Sequence, residues 1–166
     1  MKHAVAELLR GQGLLKASSP PAAPEEAASP PHLQLLRLCD RGALEGGLSI
    51  ALDVLPDEAF GGLCAAIGGG ARRLKVIDVR DRPVSEVRVQ YGDLEERWQV
   101  EDLAGLVHNL NDLLKADPGA RAVAVLGEWE DALQLWCVPK DKLPALLRAD
   151  YFIPWNREQL VAVAGS

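Results

Sequence analysis

Apolar residues recur at two spacings along the chain, and each spacing predicts one type of element. Residues 48–55, LSIALDVL, place apolar side chains at every second position, which is typical of a half-buried strand. Residues 101–119, EDLAGLVHNLNDLLKADPG, place apolar side chains three and four positions apart, which predicts an amphipathic helix. Residues 121–127 and 132–138 are largely apolar runs, and they predict two inner strands joined by the loop EWED.

Residues 86–99, EVRVQYGDLEERWQ, predict a hairpin whose register follows from side-chain parity. A two-residue loop at Gly92-Asp93 places one wholly polar face opposite a face that is apolar except for Glu96, whereas an odd-length loop would mix the two faces. The predicted pairs are Tyr91–Leu94, Gln90–Glu95, Val89–Glu96, Arg88–Arg97, Val87–Trp98 and Glu86–Gln99.

The elements follow one another in the order α-β-α-β-β-β-α-β-β-α. This order predicts a single α+β domain over residues 32–166, with a mainly antiparallel sheet of five to six strands packed by helices. Without its first helix and strand, the order over residues 57–148 is similar to the fold of the type III secretion chaperones and related sensory-regulator proteins. The similarity rests on element order alone, and it implies a shared fold without implying a shared function.

The first thirty-one residues differ in composition from the rest of the chain. Residues 17–31, ASSPPAAPEEAASPP, have no large apolar side chain and predict an extended linker. Residues 1–16 predict an amphipathic docking peptide that is disordered until it binds a partner, because Gly11 and Gly13 each cost a helix about 1 kcal/mol. Its apolar side chains, the predicted partner contacts, are Val5, Leu8, Leu9, Leu14 and Leu15.

Composition narrows the possible classes of function. The 166 residues carry a net charge of −6, which argues against a nucleic-acid-binding protein and favours a basic protein partner. No apolar run has the ~18 residues that a membrane span needs. Cys39, Cys64 and Cys137 lie in apolar contexts, which predicts reduced core thiols and a cytoplasmic location. The frequent use of Ala, Leu, Gly and Arg favours a bacterial protein.

No pattern in the chain predicts a catalytic, cofactor or metal site. The histidines and cysteines lack the short spacings of metal ligands, and no G-x-S-x-G turn is present. Residues 68–73, GGGARR, follow a helix and precede a strand, which is the reverse of a phosphate-binding loop. We therefore expect a protein that is not an enzyme.

Two tryptophans and their acidic neighbours are the remaining candidates for contact with a partner. Trp129 lies in the predicted loop between Glu128 and Glu130, where it is exposed unless it folds back over the rim of the sheet. Trp136 shares a strand face with Gln134, which predicts a half-exposed ring.

The sequence therefore favours a non-catalytic protein-interaction protein, such as an adaptor or a chaperone-like component. The tethered peptide would bind another copy or another protein, and the acidic domain would bind a second partner. Two alternatives stay open: an immunity-type inhibitor that places Glu128, Trp129 and Glu130 in a basic toxin site, and a small enzyme with an unrecognised site.

Overall fold

A computed structural model defines the architecture. It describes residues 5–16, 28–51, 56–67, 74–80, 86–99, 103–117, 119–149 and 151–165. Its helices are α1 (Val5–Gly11), α2 (Pro31–Asp40), α3 (Pro56–Ile67), α4 (Leu103–Leu114), α5 (Leu143–Leu146) and α6 (Pro154–Ala164), with a 3₁₀ turn at Lys140–Lys142. Its strands are β1 (Gly47–Ala51), β2 (Leu74–Arg80), β3 (Glu86–Tyr91), β4 (Leu94–Gln99), β5 (Ala122–Trp129) and β6 (Ala132–Val138). The α+β class is confirmed.

The strands of the described residues form two antiparallel sheets of three strands each, where the sequence predicted one sheet of five to six. The order in the first sheet is β1-β6-β5, and the order in the second is β2-β3-β4. β1 pairs with β6 from Gly47 opposite Trp136 to Ala51 opposite Ala132. Helix α3 lies between β1 and β2 in the chain, and within the described residues no strand of the second sheet pairs with a strand of the first.

The β3–β4 hairpin has the register that parity predicted. Each of the six predicted pairs, from Glu86 opposite Gln99 to Tyr91 opposite Leu94, is observed. Gly92 takes a φ of 62°, a left-handed conformation that suits glycine in a two-residue hairpin turn. Glu96 is half-buried on the apolar face, where it accepts a hydrogen bond of 2.9 Å from Trp98 Nε1.

The first sheet is covered on both faces, which explains why β5 and β6 are apolar at successive positions. One face packs against α1, α2, α5 and α6; its buried side chains include Ala122, Ala124, Leu126, Trp136 and Val138. The other face packs against α3, α4 and the apolar face of the second sheet; its buried side chains are Val123, Val125, Leu135 and Cys137. Helix α4 is the amphipathic helix predicted within residues 101–119, and the C-terminal segment forms α6 with Leu160 fully buried.

Candidate protein-interaction surfaces

The N-terminal segment, residues 5–16, is docked on the domain of its own chain. Val5, Leu9, Leu14 and Leu15 are each at most 8% exposed and belong to the core of the first sheet, whereas Leu8 is 48% exposed. The sequence predicted these five side chains as contacts for a separate partner. Four of them instead lie in a groove of the chain itself, so in this conformation they do not face another protein.

Hydrogen bonds to two distant parts of the chain hold this segment. The Val5 N–H donates to Gln34 Oε1 at 3.2 Å, and Gln34 Nε2 donates to Ser29 O at 2.7 Å. At the other end, an antiparallel bridge joins Leu15 to Leu44. The flanking bonds run from Glu45 N to Leu14 O at 2.8 Å and from Lys16 N to Ala43 O at 2.9 Å. Docking therefore fixes both the helix and the extended residues that follow it.

The two glycines end α1 and do not interrupt it. The helix stops at Gly11, and Gly13 takes a φ of 73°, the left-handed conformation common just beyond a helix. The Leu14 N–H then donates to Leu9 O at 2.8 Å, which turns the chain toward residues 43–45. The sequence-based prediction counted only the helix propensity of glycine and not its role in ending a helix. Residues 17–27 of the predicted linker lie outside the described residues.

The tip of the β5–β6 hairpin brings three acidic side chains around Trp129. Strand β5 extends through Trp129, so the turn consists of Glu130 and Asp131, with φ angles of 54° and 59°, and not of the whole predicted loop. Trp129 is half-buried against the core, and the Arg37 guanidinium carbon lies 5.5 Å from the centre of its ring. Glu128, Glu130 and Asp131 are exposed. The indole is therefore partly covered by the core and by Arg37. The hypothesis of a toxin inhibitor stays a prediction.

Trp136 is not a surface residue, contrary to the prediction. Its side chain is 0% exposed, its Nε1 donates to Glu45 O at 3.0 Å, and its ring lies 6.4 Å from that of Phe152. The prediction treated Gln134 on the same face as a sign of solvent. Gln134 is also 0% exposed, because its Nε2 donates to Ser49 Oγ at 3.0 Å within the fold.

A groove of about 830 Å³ lies between the end of α4, the start of β5, the end of β6 and the end of α6. Its lining residues are Lys115, Ala116, Gly119, Ala120, Arg121, Pro139, Lys140, Asp141, Pro144, Val163 and Ala164. Arg121 Nη1 and Nη2 bind the Glu45 carboxylate at 2.7 and 3.0 Å, and this hydrogen bonding raises the pKa of Arg121.

Lys140 has a structural role at this groove. Its ammonium donates to the carbonyls of Leu114, Lys115 and Asp117, and so it caps the C-terminus of α4. Burial lowers the pKa of the Lys140 ammonium, while the nearby Asp117 opposes that change. Among the described residues that line the groove, Asp141 supplies the one carboxylate.

Two of the three cysteines are poor nucleophiles. Burial raises the pKa of Cys39 to about 11 and that of Cys137 to about 12, so both thiols stay protonated at neutral pH. Cys64 is half-buried on α3. Among the described residues, no group of three or more His, Cys, Asp or Glu side chains is arranged to hold a metal ion.

No family model, curated protein or solved structure matches this chain. The similarity in element order to the type III secretion chaperones therefore gains no support. None of the helices within the described residues is long and apolar enough to cross a membrane.

Proposed function

We propose that this chain is a non-catalytic protein-binding module. Its N-terminal segment and the apolar groove that holds Val5, Leu9, Leu14 and Leu15 form a docking pair, that is, a peptide and the site that binds it. The observation that carries the proposal is the burial of Leu9 and Leu14, both 1% exposed, in a groove formed by residues distant in sequence. A short amphipathic helix that binds an apolar groove through its leucine side chains is a common mode of protein recognition.

Helix α1 depends on this groove for its structure. It has 7 residues, and isolated helices shorter than about 12–15 residues are marginal in water. The segment therefore folds as it docks, and a partner segment with the same leucine spacing would compete for the same groove. Because the N-terminal segment belongs to the same chain as the groove, it has a high effective concentration there. A partner therefore competes best when a substitution weakens the binding of this segment to the groove.

Neighbouring leucines of α1 provide a matched pair of variants. Leu9→Ala removes a side chain that is 1% exposed, and Leu8→Ala removes one that is 48% exposed. Removal of a buried leucine costs about 2–5 kcal/mol, so Leu9→Ala should loosen the resident segment and open the groove. The measurement is the fluorescence polarisation of a labelled peptide of residues 1–16 mixed with each full-length variant.

We expect Leu9→Ala protein to bind the labelled peptide more tightly than the wild type does, and Leu8→Ala protein to behave as the wild type. A second labelled peptide that keeps only Val5, Leu9, Leu14 and Leu15 should also bind the Leu9→Ala protein, because the groove would recognise apolar spacing. Equal peptide binding by both variants and the wild type would contradict the docking pair.

A further inference from the structure

The outer edge of β4 carries backbone groups that no described residue pairs. Tyr91 and Leu94 close the hairpin as a hydrogen-bonded pair, so the N–H and C=O groups of every second residue of β4 point away from β3. The outward-pointing groups belong to Glu95, Arg97 and Gln99. In the part of the chain that the structure describes, no hydrogen bond reaches these groups.

The side chains of β4 divide by charge and by face. Glu95, Arg97 and Gln99 are exposed on the polar face of the sheet, and an ion pair of 2.8 Å joins Glu95 to Arg88 Nε on β3. On the other face, Leu94 is 50% exposed although it lies on the same side of the sheet as the buried Trp98. The edge therefore combines open hydrogen-bonding groups, charges of both signs and an uncovered leucine.

We propose that β4 pairs antiparallel with β4 of a second copy of this chain, about a twofold axis at Glu96. In this register Glu95 of each copy lies opposite Arg97 of the other, which gives two pairs of opposite charge on the polar face. On the other face, Leu94 of each copy lies opposite Trp98 of the other. The β2-β3-β4 sheets of the two copies become one continuous sheet with a self-complementary interface.

The charges select this register over its neighbours. Outward-pointing residues must face one another across the new pair, so the axis moves along β4 by whole residues. An axis at Arg97 would place two arginines opposite each other, and an axis at Glu95 would place two glutamates there. An axis at Glu96 also opposes two carboxylates, but it is the register that forms both Glu95–Arg97 pairs.

A cysteine scan of β4 tests the register. Glu96→Cys places two thiols opposite each other at a non-hydrogen-bonded pair, where the Cα atoms lie about 4.5 Å apart, within disulfide range. Gln99→Cys is the control, because in the proposed register this residue is distant from its copy. Under mild oxidation the Glu96→Cys protein should become a covalent dimer much faster than the Gln99→Cys protein. Equal cross-linking at both positions would overturn the register.

Charge variants test the pairing itself by sedimentation analysis of the full chain. Arg97→Glu and Glu95→Arg should each weaken self-association by about tenfold or more, because two attractive pairs become repulsive. A mixture of the two variants should form a heterodimer, since both facing pairs between positions 95 and 97 are then of opposite charge. The Glu96→Gln dimer should have a dissociation constant about two- to fivefold lower than that of the wild-type dimer, because two facing carboxylates are removed.

The absence of self-association of the wild-type chain at every concentration would overturn the proposal and would leave the edge open to a strand of a different protein. Failure of the mixed variants to associate, with a dimer that persists in each variant alone, would place the interface elsewhere.

Discussion

The β5 edge of the first sheet and the β4 edge of the second sheet differ in how their outward-pointing backbone groups are bound. At β5, two asparagine side chains bind the N–H and C=O groups of Val123 and the N–H group of Val125. At β4, the corresponding groups of Glu95, Arg97 and Gln99 receive no hydrogen bond from the described residues. One edge is closed from within the chain, and the other can accept a strand.

The closed edge shows how a side chain can replace a strand. Asn111 on α4 accepts from the Val123 N–H at 2.8 Å and donates to Val123 O at 3.0 Å, as a neighbouring strand would. Asn156 on α6 accepts from the Val125 N–H at 2.7 Å and donates to Val123 O at 3.3 Å. Asparagine is a weak helix former, so its presence in two helices has a cost that edge closure offsets.

Loss of Asn111 should have the largest effect on this comparison. The side chain is 3% exposed, and Asn111→Ala leaves the Val123 N–H buried without an acceptor. We expect the free energy of unfolding to fall by about 2–4 kcal/mol, measured by urea denaturation. Asn109→Ala, at a half-exposed position in the same helix, is the matched control. It makes the same change of helix propensity, which by itself favours the helix, so an equal loss in both variants would contradict a specific role of Asn111 at the β5 edge.

Loss of Asn156 should have a somewhat smaller effect, because one of its two bonds to β5 is long. Asn156→Ala removes the acceptor of the Val125 N–H from a site that is 0% exposed, and we expect a loss of about 1–3 kcal/mol. Asn111 and Asn156 both donate to Val123 O, so the losses in the double variant should not be additive. Additive losses in a double-mutant cycle would contradict a shared closure of this edge.

Patterns that repeat along one element predicted the structure well, and contacts between elements were missed. The β3–β4 register follows from alternation alone, because one face must be buried and the other solvated. The burial of Trp136 depends on Glu45 and Phe152, which no local pattern connects to β6. The docked position of residues 5–16 likewise depends on residues 43–45.

One edge-closing residue did leave a signal in the sequence. Asn111 lies between Leu110 and Leu114, within the apolar stripe of α4, and a buried polar side chain at such a position needs a specific partner. Its partner is a backbone group of β5, so the residue types of that strand do not reveal it. Gly13 left a similar signal, because a glycine just beyond a short helix is typical of its end.

The smallest expected effect is at the open edge. Gln99→Ala alters an exposed side chain of β4 whose outward backbone groups receive no hydrogen bond from the described residues, so the free energy of unfolding of the monomer should change by no more than about 0.5 kcal/mol. The measurement is urea denaturation at a protein concentration low enough to dissociate any dimer, beside Asn111→Ala under the same conditions. A loss as large as that of Asn111→Ala would mean that another part of this chain covers β4. The contrast between a closed and an open edge would then fail, and so would the room for a second copy.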